Sequence, residues 1–192
     1  MQAELLRWAG PAAAAGGAVL GAAAGFALPQ PFQVALSAVL AATMAAMAME
    51  DLRSLKVPDP LNLVAALAGF VAVSLEALSA NRDPLPAIGQ AAGQALLCGG
   101  ALFLVREAFF RLRHVDGLGM GDVKLAMTAG IWLGWEIFAL AVAMAAISAL
   151  AFVAVRVMRV GSWPRGKRIP FAFFLAPAVW TCWYLSKLFQ LS

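Results

Sequence analysis

The stretch Ile137-Phe138-Ala139-Leu140-Ala141-Val142-Ala143-Met144-Ala145-Ala146-Ile147-Ser148-Ala149-Leu150-Ala151-Phe152-Val153-Ala154-Val155 carries no charge and shows no alternation of apolar with polar residues. As a helix its nineteen residues rise about 28 Å at 1.5 Å each, close to the ~30 Å hydrocarbon core of a bilayer. A segment in lipid has to pair its backbone groups within itself or within a closed barrel. Barrel strands are shorter, about 10 residues, and alternate in polarity, so this stretch reads as helix. Comparable runs fall at about 11–28, 32–49, 61–79, 87–105, 123–134 and 169–190, separated by charges, prolines and glycines. The expected fold class is all-α: a polytopic transmembrane helix bundle of six to seven spans, forming a single integral-membrane domain over residues 1–192.

Composition points the same way. Of 192 residues, 63% are hydrophobic and 12% charged, against about 25% charged in soluble domains. A soluble fold of this length has too little interior for that much apolar surface. This excludes a disordered chain, a disulfide-stapled secreted domain and a water-soluble enzyme. The two cysteines, Cys98 and Cys182, lie in apolar runs and form no CxxC pair, so no structural zinc site is expected.

The basic residues set an orientation. With the N-terminus inside and all seven runs crossing, twelve Lys and Arg fall inside: Arg7, Arg53, Lys56, Arg106, Arg111, Arg113, Lys124, Arg156, Arg159, Arg165, Lys167 and Arg168. Arg82 and Lys187 alone fall outside, and the opposite topology would invert the bias. The formal net charge of +4 is therefore read as positive-inside asymmetry facing anionic lipid, with no nucleic-acid partner. The first segment, 1–28, has two readings. Gly25-Phe26-Ala27 after an Ala/Gly-rich stretch resembles a signal-peptide cleavage site. The favoured reading is a retained helix packed through Gly16, Gly17, Gly21 and Gly25.

Four of the ten acids have simple explanations. Glu4, Asp83 and Glu136 fall at helix ends or turns, Glu107 lies among arginines, and Glu76 is a weaker outlier near the outer end of the third run. His114, the one histidine, lies in a basic loop with no triad around it. Two clusters remain. Glu50-Asp51-Leu52-Arg53-Ser54-Leu55-Lys56-Val57-Pro58-Asp59 follows the second run, and Gly117-Leu118-Gly119-Met120-Gly121-Asp122-Val123-Lys124-Leu125 opens the fifth. The topology puts Asp51 and Asp122 at the same inner face, on separate helices.

Two carboxylates a few Å apart share a proton and titrate as a unit. The ionised member takes a proton from water while the protonated one polarises a peptide carbonyl, which is aspartic-protease chemistry and uses neither metal nor organic cofactor. Gly119 and Gly121, without Cβ, admit close approach of a substrate backbone. The fifth run, Val123 to Gly134, rises only ~18 Å, so either its helix starts earlier through the glycine-rich turn or Asp122 sits in a thinned, hydrated pocket. An acid at the membrane boundary is a functional candidate. The residues alone also admit a plainer account, Asp122 as a helix cap and Asp51 paired with Arg53 or Lys56.

The two clusters resemble the motifs of the prepilin peptidases, the type IV leader peptidases within the GxGD group of membrane aspartic proteases. That family pairs an Asp followed six to eight residues later by an Ile-Pro-Asn-like step with GxGD followed by Lys-Leu. Here Asp51 precedes Val57-Pro58-Asp59, Gly119-Met120-Gly121-Asp122-Val123-Lys124-Leu125 matches the second motif, and Gly130-Ile131-Trp132-Leu133-Gly134 continues it. Arg168-Ile169-Pro170-Phe171 resembles a late Ile-Pro-Phe-Gly-Pro segment, with Ala172-Phe173 standing where Gly-Pro is expected. The resemblance spans about residues 45–180 and implies Asp51 and Asp122 as the catalytic pair, with Gly119, Gly121, Lys124, Pro58 and Pro170 positioning the loop or the substrate. The implied substrate is a prepilin or pseudopilin with a short basic leader and an apolar helix, cut at the cytoplasmic side of a bacterial inner membrane. The cluster Arg156 to Arg168 would repel such a leader and reads as lipid-facing.

Larger members carry an N-terminal domain with paired CxxC motifs associated with N-methylation. The chain looks like the minimal, peptidase-only form with one extra N-terminal run. Presenilin-like relatives pair Tyr-Asp with GxGD and add Pro-Ala-Leu, whereas the single tyrosine here, Tyr184, is far from both Asp residues. Outside that group, the alternatives are a small proton-coupled transporter and a non-enzymatic scaffold of a pilus or secretion assembly. The oligomeric state is not encoded in any feature of the sequence.

Overall fold

In the computed structural model, the described residues are 2–28, 30–114, 118–160 and 169–189. They form six helices and no strand: α1 (Gln2–Gly25), α2 (Pro31–Ser54), α3 (Asp59–Ser79), α4 (Pro84–Arg113), α5 (Met120–Val160) and α6 (Phe171–Leu188). Five of these, α2 to α6, are long and apolar enough to cross a membrane. The expected all-helical bundle is the fold observed. The basic loop Arg165, Lys167 and Arg168, together with Gly117, lies outside the described residues.

Proline and the apolar runs explain the starts. Prolines at the first or second position open α2, α3 and α4, where the missing N–H costs no helical hydrogen bond and the fixed φ suits the first turn. The Asp83 side chain accepts from the Leu85 amide at 2.9 Å and caps α4.

The fifth and sixth apolar runs are the two helical halves of α5, separated by a break at Gly134, whose φ of 68° and ψ of 171° are not helical, as the separation of the two runs suggests. That region is essentially restricted to glycine. The contacts of α5 with α6 show what the break achieves. Trp132 meets Trp183 edge-on at 5.5 Å, Met144 meets Cys182 at 3.6 Å, and Phe152 meets Phe174 at 5.8 Å. Along α5 the partners on α6 run from Ala172, beside Asp122, up to Trp183 and then back down to Phe174, so the chain reverses at Gly134. The Trp135 amide freed by the break donates to Gln94 Oε1 on α4 at 3.0 Å. The helix also starts at Met120, through the glycine-rich turn, and this resolves the shortness of the fifth run.

Small residues bring the helices close. A Cβ at Gly17 or Gly21 would stand 2.5 Å from the Ala41 or Ser37 carbonyl oxygen of α2, and one at Gly25 would crowd Val34. Gly16, expected on the same seam, faces open space with nothing within 4 Å. Gly130 is pressed on α4, where a Cβ would meet the Gln94 carbonyl oxygen at 2.6 Å.

The core lies where α2, the first half of α5 and α6 meet. Leu40, Met44, Met47, Leu125, Leu175, Val179 and Trp183 are fully enclosed there. Polar crosslinks hold α3 to α5 (Trp132 Nε1 to the Ala65 carbonyl, 2.9 Å) and α6 to α2 (Trp180 Nε1 to Ser37 Oγ, 3.3 Å). By contrast, Leu140, Ile147 and Leu150 on the returning half of α5 are exposed, as expected of a face turned to lipid. Both cysteines are buried free thiols.

Candidate active site

Asp51 lies in the last turn of α2 and Asp122 in the first turn of α5, and both are buried, 5% and 8% exposed. Unpaired carboxylates are rarely found so deep, so their partners need identifying. Among the described residues neither makes an ion pair: Arg53 turns to Glu50 at 4.0 Å and Lys124 to Asp59 at 2.7 Å. The plainer pairing of Asp51 with Arg53 or Lys56 is therefore absent here.

Backbone amides take the place of cations. Asp122 is the third residue of α5, counted from Met120, and its Oδ2 accepts from the Gly119 amide at 3.1 Å. This is the reach-back half of a capping box, and it fixes the carboxylate over the start of its own helix. Asp51 Oδ2 accepts from the Phe173 amide at 3.0 Å. The Ala172 amide interacts with both carboxylates, and the carboxylates interact electrostatically with each other. Both acids thus converge on the first turn of α6, where N–H groups have no helical acceptor and the positive end of the helix dipole favours anions.

The remaining residues singled out from the sequence gather around this point. Pro170 precedes Phe171 at the N-cap of α6 and Pro58 holds the N-cap of α3. Gly121 faces Val57, where a Cβ would come within 3.0 Å of the valine Cβ, so the glycine lets the α5 turn close on the α2–α3 connection. That connection begins at Leu55, held in the left-handed region at φ 53°, with its amide bonded to the Asp51 carbonyl at 3.0 Å. A cavity of about 660 Å³ opens over the pair, lined by Glu50, Asp51, Lys56, Asp59, Gly119, Gly121, Asp122 and Lys124. No cluster of three His, Cys, Asp or Glu side chains suited to a metal ion occurs among the described residues.

Sequence reasoning did not find Ala172 and Phe173. Their contribution is main-chain, so residue type gives no direct sign of it. The available signal was Pro170, which predicts a helix start directly before two free amides.

Comparison with known proteins locates the same region. The model of a family described as the type IV leader peptidase family matches residues 38–154. Over 156 residues, 81% of this chain and 48% of the relative, the sequence is 34% identical to the prepilin leader peptidase/N-methyltransferase of Burkholderia pseudomallei. It is 28% identical over 75% of its length to half of the Aeromonas hydrophila protein of the same description. Leader peptidase HopD of Escherichia coli is 33% identical over 44% of this chain and 54% of its own. The chain thus spans about half the length of the curated relatives it matches. No solved structure matches it.

Proposed function

The chain belongs to the type IV leader peptidase family, and on that premise we propose that it is an aspartic endopeptidase removing the leader of prepilins or pseudopilins, with Asp51 and Asp122 as its catalytic pair. One observation carries the reading. Two buried carboxylates from separate helices share the Ala172 amide at the start of α6 and have no cation between them among the described residues. A structural role would be served by an ion pair; this arrangement is suited to sharing one proton.

In the proposed reaction, one carboxylate is ionised and takes a proton from water as that water attacks the scissile carbonyl. The protonated partner donates a hydrogen bond to the carbonyl oxygen, on which negative charge develops. The amides of Gly119, Ala172 and Phe173 hold the two carboxyl groups in register, so little reorganisation accompanies the proton transfers. Lys124 and Asp59 stand at the edge of the cavity and position the substrate.

The proposal sets the active site at the cytoplasmic face of a multi-pass inner-membrane protein, with the N-terminus on the same side. The reversal at Gly134 supports it by returning Arg156 and Arg159 to the end that holds the two acids, where Arg53, Lys56, Arg106 and Lys124 also lie. A substrate with a basic leader suits the surplus of acids over lysines around the cavity: Glu50, Asp51, Asp59 and Asp122 against Lys56 and Lys124. The proposal concerns leader cleavage alone.

The test is co-expression with a prepilin and a gel that separates precursor from mature form. The parent protein should convert the precursor. Asp51→Asn and Asp122→Asn should each leave it intact while remaining in the membrane. Normal conversion by either variant excludes the pair, and no conversion by the parent leaves a transporter or scaffold as the better account.

A further inference from the structure

A second cavity, about 790 Å³ and almost wholly apolar, runs between α3, α4 and the ascending half of α5. Its walls include Leu63, Ala66 and Phe70 of α3, Ala95 and Leu96 of α4, and Ile131 of α5. From Asp59 to Phe70 it follows α3 for about 16 Å, away from the candidate active site. Leu63 and Leu96 are 60% and 67% exposed, so the groove opens sideways rather than into the core.

Three features identify what fits it. First, it adjoins the candidate active-site cavity: Asp59 and Lys124, joined at 2.7 Å, line both. Second, polarity changes at that junction. The side of the two carboxylates is acidic and polar, and the side beyond is apolar for three turns of α3. Third, the apolar part has a single polar notch. Asn62 is 9% exposed and lines the groove with its Oδ1 unpaired among the described residues, and Thr128 Oγ1 stands beside it, 3.5 Å from the Asn62 carbonyl. A buried, unpaired amide oxygen is costly unless a ligand supplies a donor.

We propose that this α3–α4–α5 groove receives the apolar helix of the substrate, entering sideways from the bilayer, with its leader lying across Asp51 and Asp122. The proposal rests on the leader-peptidase reading above. The proposed occupant changes from polar to apolar along its length, and so do the two adjoining cavities. Ala66 and Ala95 let a helix backbone approach closely, the condition for helix association in lipid. Asn62 Oδ1 would accept from a hydroxyl or amide donor on the substrate helix one to two turns beyond the cut.

The experiment uses the full chain in membranes with a tagged prepilin, in the Asp122→Asn background so that precursor accumulates. The photocrosslinker benzoylphenylalanine replaces Leu63 or Leu96 and, as a control outside the groove, Leu150. Irradiation should join positions 63 and 96 to the apolar segment of the prepilin, with at least tenfold less product from 150. Adducts to lipid alone, adducts to a second copy of the chain, or no adduct would each overturn the docking. In the active protein, Ala66→Trp should fill the groove and slow prepilin cleavage at least tenfold at low substrate concentration, with Leu150→Trp close to the parent. Equal rates for Ala66→Trp and the parent also overturn it. A parent that cleaves prepilin without these adducts refutes the groove alone; a parent that cleaves no prepilin refutes the peptidase reading and the groove together.

Discussion

The bundle holds carboxylates at both ends, partly buried at one and buried at the other, and the two ends treat them differently. Away from the active site, Glu76 of α3 meets Lys187 of α6, whose Nζ lies 3.0 Å from both carboxylate oxygens. At the candidate-site end, Asp51 and Asp122 interact with each other and, among the described residues, take their hydrogen bonds from backbone amides. The outer pair is electrostatically complete and ties two helices together. The inner pair is incomplete, and its deficit is what a proton, a water and a peptide carbonyl would fill. On the proposed function the contrast separates a charge kept for structure from one kept for chemistry, and it can be attacked from either side.

The largest expected effect comes from the inner pair. Asp122→Asn should reduce prepilin cleavage at least a hundredfold, because general acid–base catalysis contributes about 10²–10⁴ and Asn supplies neither proton nor base. The same change removes an ionisable group from a buried site, so thermal stability in detergent should hold or rise. Loss of stability with retained cleavage would invert the comparison.

Lys187→Met is the matching change at the outer end. It leaves Glu76 partly buried without its cation, and a destabilisation of about 2 kcal/mol is expected, less than for a fully buried pair because Glu76 retains some solvent contact. Cleavage by the protein that remains folded should be unchanged. Adding Glu76→Gln should recover much of the loss, a coupling readable in a double-mutant cycle. A cleavage defect as severe as that of Asp122→Asn would show that the outer pair is not merely structural.

Between the two lies the helix start that supports Asp51. Phe173→Pro removes the amide that donates to Asp51 Oδ2 while keeping a residue tolerated in a first helical turn. The late Ile-Pro-Phe-Gly-Pro segment that residues 169–173 resemble has proline at this place, so losing this one hydrogen bond should slow cleavage by no more than about tenfold, and Phe173→Leu, which keeps the amide, should match the parent. Equal rates for the proline and leucine variants would show that the bond has no part in the reaction.

How much of this was legible in the sequence follows from what each feature depends on. The helices were legible because lipid forces every apolar run of sufficient length into one conformation. Asp51 and Asp122 stood out because so few charges compete with them, and Gly17, Gly21 and Gly25 lie on one seam as their spacing suggests. Gly16 was misplaced, since one residue of rotation turns it away from α2. The break at Gly134 was legible, since a glycine beside Trp135 and Glu136 reads as a break between two helices, whereas its φ of 68° is a property of the fold. Glu76 was an outlier for want of a partner 111 residues away, and the amides of Ala172 and Phe173 carry no side-chain signature at all.

The smallest effect tests whether burial, rather than charge pairing as such, distinguishes the ends. Lys124 and Asp59 form a shorter contact than Glu76 and Lys187, 2.7 Å against 3.0 Å, yet their side chains are 46% and 69% exposed. Water already solvates both groups, so the Coulomb gain is screened and the ordering of two side chains offsets much of it. Asp59→Asn should therefore change stability by less than about 1 kcal/mol, and that change should shrink further at high salt, whereas the loss from Lys187→Met should persist. Distance alone would rank the pairs the other way. A larger loss from Asp59→Asn than from Lys187→Met would mean that the α3–α5 junction between the two cavities holds α3 more firmly than the α3–α6 pair does.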